Sequence, residues 1–198
     1  MSRGVRSSKG VILIAVMSAL GNVLSFISIK VSPIIPSIPL GPISVSLALD
    51  LSHVTTFIAA LFGGPALGGL TGAIGGLVAA YDFGFSKGNL ITGFGLPVGK
   101  ALTGVTAGLV MRAFGLLDGR RLLTVPSTVI SYVPEALFTA FLFIVVFPPV
   151  FGLPLWLANL IAAQIIAKAF FEMVVMGLII AALLGNRGFA EYVKGFFT

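Results

Sequence analysis

Nine side chains stand out in an apolar chain because their types suit the capture of a small polar molecule: Asp50, His53, Asn89, Lys100, Glu135, Trp156, Asn159, Gln164 and Lys168. Ionisable groups inside membrane-length apolar segments are expensive, which makes them functional candidates by default. Asp50 and His53 stand three apart, on one helical face, and Glu135 directly follows Pro134. Gln164, Lys168 and Glu172 recur at i, i+4 and i+8 along another helical face, so Lys168 can pair with Glu172 or reach across to Glu135. Read structurally, these are capping groups and a buried ion pair that sets packing. Read functionally, they form a polar pocket in which Asp50, His53 and Lys100 bond the edges of a ligand. Trp156 would then stack on a ring, Asn159 would add an amide, and Glu135 and Lys168 would make the floor.

Other chemistries fail on residue types. There is no Cys, which removes thiol catalysis, disulfides and Cys-ligated zinc. The single His, with Asp50 beside it, does not complete a metal site, so no metal or cofactor is expected. Gly93, Gly95, Gly99 and Lys100 imitate a phosphate-binding loop, but that pattern needs Gly where Phe94 stands and Ser or Thr where Ala101 stands. No paired-Glu, His-rich or Ser/His arrangement of an intramembrane protease is present, nor an Asp-rich metal motif. The chain is expected not to be an enzyme.

The elements that must hold these residues are membrane-spanning. Of 198 residues, 58% are hydrophobic and 9% charged, with a mean hydropathy of +1.14. A soluble domain is about 45–50% apolar and about 25% charged. A spanning helix needs about 20 mainly apolar residues, and six segments qualify: about 10–29, 44–62, 64–81, 95–116, 124–147 and 154–184. The expectation is therefore an all-α integral membrane protein, one six-helix domain covering 1–198. Between the first two helices, Pro33, Pro36, Pro39 and Pro42 favour an extended or turning segment that folds back over the membrane domain. Gly63-Gly64-Pro65 makes a tight turn, and residues 82–94 read as a polar, glycine-rich loop.

Charge sets the orientation. The net charge of +6 comes from 12 Lys and Arg against 6 Asp and Glu, a surplus that orients a polytopic chain rather than binding nucleic acid. With the N-terminus inside, Arg3, Arg6, Lys9, Arg112, Arg120, Arg121, Arg187 and Lys194 are cytoplasmic, and only Lys30 and Lys87 lie in external loops. Six crossings return the C-terminus to the cytoplasm. The start MSRGVRSSK resembles the n-region of a signal peptide, but the apolar stretch behind it is long enough to span, and the first helix is expected to be retained.

Small residues mark helix contacts. Gly64, Gly68, Gly72, Gly76 and Ala80 repeat every fourth position in the third segment, with Gly104 and Gly108 in the fourth, and predict close internal packing. Ala15 and Ala19 in the first helix make a flat patch suited to a partner helix.

In this order along the chain, the motifs resemble the substrate-binding S components of energy-coupling factor (ECF) vitamin transporters, over nearly the whole length. The likeness is carried by Ala15-xxx-Ala19, the proline-rich first external loop, Leu49-Asp50-Leu51-Ser52-His53-Val54, Phe62-Gly63-Gly64-Pro65-Ala66-Leu67-Gly68-Gly69, and Gly99-Lys100-Ala101-Leu102-Thr103-Gly104. The riboflavin-type and related S components look most similar. They tend to have Asp and then Pro where this chain reads His53 and Thr55, and a polar ending to the third helix where this chain reads Gly76-Leu77-Val78-Ala79-Ala80. The resemblance implies capture of a small water-soluble vitamin or related nutrient from outside a prokaryotic cell. It also implies docking through Ala15 and Ala19 on a transmembrane coupling protein with two cytosolic ATPases. The competing expectation is a self-sufficient proton-coupled transporter with Glu135 or Glu172 as the proton site. A purely structural membrane subunit would need no polar pocket.

Overall fold

The computed structural model describes residues 7–35, 37–40, 43–46, 49–186, 188, 189, 191 and 195. Arg3, Arg6, Pro36, Pro42, Arg187 and Lys194, which enter the loop and orientation readings, lie outside the described residues. The order is α1 (Ser8–Val31), β1 (Ser37–Leu40), β2 (Ile43–Ser46), α2 (Ser52–Gly63), α3 (Pro65–Gly75), α4 (Leu77–Phe83), α5 (Leu90–Ala113), α6 (Thr124–Phe141), α7 (Phe147–Phe151) and α8 (Leu155–Gly185). Five helical segments, over 8–31, 65–87, 90–113, 121–151 and 155–185, are long and apolar enough to cross a membrane, and α2 is a shorter apolar helix. The molecule is a helical membrane-type bundle.

The second expected span changes most. Residues 44–62 do not form one helix: Ile43–Ser46 pairs antiparallel with Ser37–Leu40, and the helix begins only at Ser52. Ile43-Ser44-Val45-Ser46 alternates apolar and polar residues, the period of a strand, and the proline-rich stretch before it supplies an extended partner. With 12 residues, α2 is about 18 Å long, short of a bilayer core of about 30 Å. Its residues are nonetheless the most enclosed in the bundle; Phe57, Ala59 and Ala60 have no exposed surface.

The third expected span, 64–81, breaks at Gly76 into α3 and α4. The Asn22 side-chain amide of α1 donates to the Ile74 carbonyl at 2.9 Å and accepts from the Val78 N–H at 2.9 Å. In an unbroken helix those two backbone groups would bond each other. Asn22 is spliced into that bond, which is how an apolar environment tolerates the break.

The glycine repeat does what the spacing predicts. A Cβ at Gly104 would lie 2.2 Å from the Gly68 carbonyl oxygen, so α3 and α5 touch backbone to backbone. At the turn before α3, Gly64 has φ +88 and Pro65 starts the helix, while Arg112 donates to the Gly63 carbonyl at 3.3 Å.

The remaining helices begin or end differently from the expected boundaries. The Asn89 side chain accepts the Thr92 N–H at 3.0 Å, which starts α5 at Leu90 rather than near 95. Pro134 sits inside α6, and a π-helical turn over Leu142–Val146 carries α6 into α7.

Candidate functional site

A cavity of about 530 Å³ lies at one end of the bundle. Its walls come from the last turns of α1, the start of α2, the end of α4, the first half of α5, the second half of α6 with its π turn, and the middle of α8. This is the end that the charge reading assigns to the exterior. The opposite end carries Lys9, Arg112, Arg120 and Arg121.

Lys100 is positioned by the glycine crossing. Its stem runs past Gly76, where a Cβ would stand 3.1 Å from Lys100 Cδ, so the absence of a side chain at Gly76 leaves room for it. The buried ammonium donates to Asp50 Oδ2 at 2.8 Å and to the Ser52 hydroxyl. Asp50 in turn opens α2: its Oδ1 accepts the Ser52 N–H at 3.0 Å, a capping role. The Ser28 hydroxyl accepts the preceding amide, Leu51 N–H, at 3.3 Å. The capping and functional readings of Asp50 therefore coexist, because the same carboxylate caps the helix and lines the cavity.

Lys168 pairs with Glu172 at 3.4 Å, one turn along α8. The same Glu172 oxygen accepts the Asp50 N–H at 3.1 Å, which ties α8 to the start of α2. Glu135 does not pair with Lys168. Its Oε2 accepts the Thr103 hydroxyl at 2.5 Å, and its Oε1 would be 3.2 Å from a Cβ on Gly99.

His53 is 5% exposed and its Nδ1 has no hydrogen-bond partner. It lines the cavity, its ring tilted 33° to Phe57 at 6.2 Å. A buried ring nitrogen without a partner is uncommon in a finished interior and common where a bound molecule completes the bonding.

The cavity thus brings together Asp50, His53, Asn89, Lys100, Glu135 and Lys168. The Asn89 side-chain oxygen is engaged in capping α5. The remaining candidates sit elsewhere. Trp156 is 63% exposed on the outer turn of α8 and is not among the lining residues. Asn159 is turned back on its own helix, donating to the Leu155 carbonyl at 3.0 Å. Gln164 also lies outside the lining, whereas Ile165, Lys168, Ala169 and Glu172 form the inward stripe of α8.

The aromatic surface expected from Trp156 comes instead from Tyr132, Phe138, Phe143 and Phe147 on α6, its π turn and α7, with Phe83 opposite. Tyr132 packs edge-on against Phe170 of α8 at 5.3 Å. Spacing could have found part of this, since 132, 135, 138/139 and 142 follow one helical face. Phe143 and Phe147 extend the same stripe at the ordinary spacing 132, 136, 139, 143 and 147, across the π turn. The serines at the end of α1, Ser25 and Ser28 with Ser32 just beyond it, were hidden in the sequence by an apolar background.

No group of three or more metal-ligating side chains is present among the described residues. The arrangement can bind, desolvate and hydrogen-bond a small molecule. No family model matches the chain, and comparison with curated proteins and with solved structures gave no match.

Proposed function

We propose that this protein captures a small water-soluble nutrient at the outer face of a prokaryotic cell membrane, as the substrate-binding subunit of an ECF-type importer. The observation that carries the reading is the cavity: a half-open space in an apolar bundle, lined by Asp50, His53, Lys100, Glu135, Lys168 and Glu172 and by an aromatic wall. A structural subunit has no use for such an arrangement, and burying it costs stability that binding must recover. The cavity volume suits a ligand of vitamin size. The partner half of the reading rests on the ECF resemblance and on Ala15 and Ala19, both exposed on α1. On that reading a coupling membrane protein docks on this face, and two cytosolic ATPases drive release of the nutrient inside.

The test is purification of the tagged chain from a prokaryotic host carrying a coupling protein and its ATPases, with mass spectrometry of what comes with it. Retention of those subunits and of a small organic molecule is the expected result. Uptake that persists without the ATPases and collapses with an uncoupler would replace this reading by a proton-coupled carrier, with Glu135 or Glu172 as the proton site.

A further inference from the structure

We infer that the cavity selects a planar molecule carrying a positively charged, hydrogen-bond-donating nitrogen at one edge, with the Glu135 carboxylate as its counter-ion; the inference rests on the cavity being a capture site.

The first ground is charge arithmetic inside the cavity. Asp50, Glu135 and Glu172 supply three carboxylates, and Lys100 and Lys168 supply two ammonium groups. Each ammonium is engaged by a carboxylate, Lys100 by Asp50 at 2.8 Å and Lys168 by Glu172 at 3.4 Å. Glu135 is left with a hydroxyl, and among the described residues no cation stands within salt-bridge distance of it. At 8% exposure, a carboxylate without a cation is costly, and a cation entering the cavity offsets that cost.

Orientation is the second ground. Oε2 is held by Thr103, and the carboxyl group packs against Gly99, where a Cβ would crowd Oε1 at 3.2 Å. A donor approaching from the cavity meets an oriented acceptor rather than a mobile one.

His53 is the third and is independent of Glu135. The residue belongs to the same lining, and its Nδ1 is buried without a partner. A neutral imidazole keeps one ring nitrogen as an acceptor, so this side chain too has the capacity to take a donor from the ligand. The aromatic wall of Tyr132, Phe138 and Phe143 agrees with both, since the faces of such rings attract cations and stack on planar groups.

The experiment measures binding of 2-naphthamidine, 2-naphthamide and 2-naphthoate to the purified full chain by calorimetry and thermal shift. These probes share one shape and are positive, neutral and negative. The amidinium is expected to bind about tenfold or more tighter than the carboxylate, with the amide between them. In Glu135→Gln, checked for folding by size exclusion, that preference should fall by about tenfold. Equal or tighter binding of the carboxylate by the wild-type chain overturns the inference whether or not the variant folds. So does an unchanged preference in a folded Glu135→Gln, or binding by none of the three at about 5 mM. Loss of ATPase co-purification with the amidinium preference intact would sink the importer reading alone; retained ATPases with carboxylate preference would sink only this one.

Discussion

Glu172 Oε1 accepts the backbone N–H of Asp50 at 3.1 Å, across 122 residues of chain. Through this bond the Lys168–Glu172 pair of α8 and the pair between Lys100 of α5 and Asp50, just before α2, become one network. Each charge is oriented by the next, and the cavity wall is held in shape before any ligand arrives.

Lys100→Met tests the inner half of that network. Removing one partner of a buried pair costs about 3–5 kcal/mol, and the lower end applies here because Asp50 keeps 29% of its side-chain exposure. Thermal unfolding in detergent should show the loss, and adding Asp50→Asn should restore part of it. A single variant as stable as wild type would mean that the pair contributes no net stability.

Lys168→Met tests the outer half. Lys168 keeps 32% of its side-chain exposure and ends a chain of contacts rather than centring one, so the fold should survive. Ligand affinity should fall by about 1–3 kcal/mol if Lys168 touches the ligand. Calorimetry with the co-purified molecule decides, and unchanged affinity assigns Lys168 to orienting Glu172 alone.

Asn22→Leu tests the splice between α3 and α4. It leaves the Ile74 carbonyl and the Val78 N–H without their partner, a loss of about 1–3 kcal/mol. Asn22→Asp keeps the acceptor for the Val78 N–H but sets a carboxylate oxygen against the Ile74 carbonyl oxygen, so it should be destabilised as well. Denaturant titration in micelles reads both, and equal stability of all three chains would show that the break satisfies itself.

Gly104→Ala places a methyl 2.2 Å from the Gly68 carbonyl oxygen, so α3 and α5 must part. Overpacking of this kind costs about 1–3 kcal/mol. Because Lys100 lies one turn along α5, ligand affinity should fall as well. Gly88→Ala, whose Cβ would meet nothing within 4 Å, is the control: it should lose about 1 kcal/mol from its positive φ and leave binding unchanged.

Ala15→Leu with Ala19→Leu addresses the partner. Both alanines are exposed on α1, while that helix buries Gly10, Leu13, Ser18, Gly21 and Ser25 on its other face. Larger side chains there should leave ligand affinity near normal and abolish co-purification of the coupling protein and ATPases. Normal transport by the double variant would remove the residue-level support for docking.

Much of this was legible in the residues. The helical membrane class followed from hydropathy, the α3–α5 contact from the glycine spacing, and six of nine candidate side chains meet in one cavity. What was not legible depended on partners far along the chain. Nothing near Gly76 signals a break, because the residue that makes it tolerable is Asn22, more than fifty positions earlier. Trp156 offers an aromatic face by residue type, yet helical phase turns it outward, and the rings that line the cavity are Tyr132, Phe138, Phe143 and Phe147. The hairpin was hidden by hydropathy, since Ile43–Ser46 is as compatible with a span as with a strand until its pairing is seen.

The Asn22 splice also has a bearing on biogenesis. A segment entering the bilayer alone must satisfy its own backbone, and the 65–83 stretch does not do so fully: the Val78 amide at its break is completed by α1, which also adds a donor to the Ile74 carbonyl. The ribosome makes α1 first, so the completing amide is already waiting when the broken segment leaves the translocon. Reordering the gene, by circular permutation that moves α1 to the C-terminus, would oblige the break to wait in lipid for its partner, and the order of synthesis becomes part of how this bundle is built.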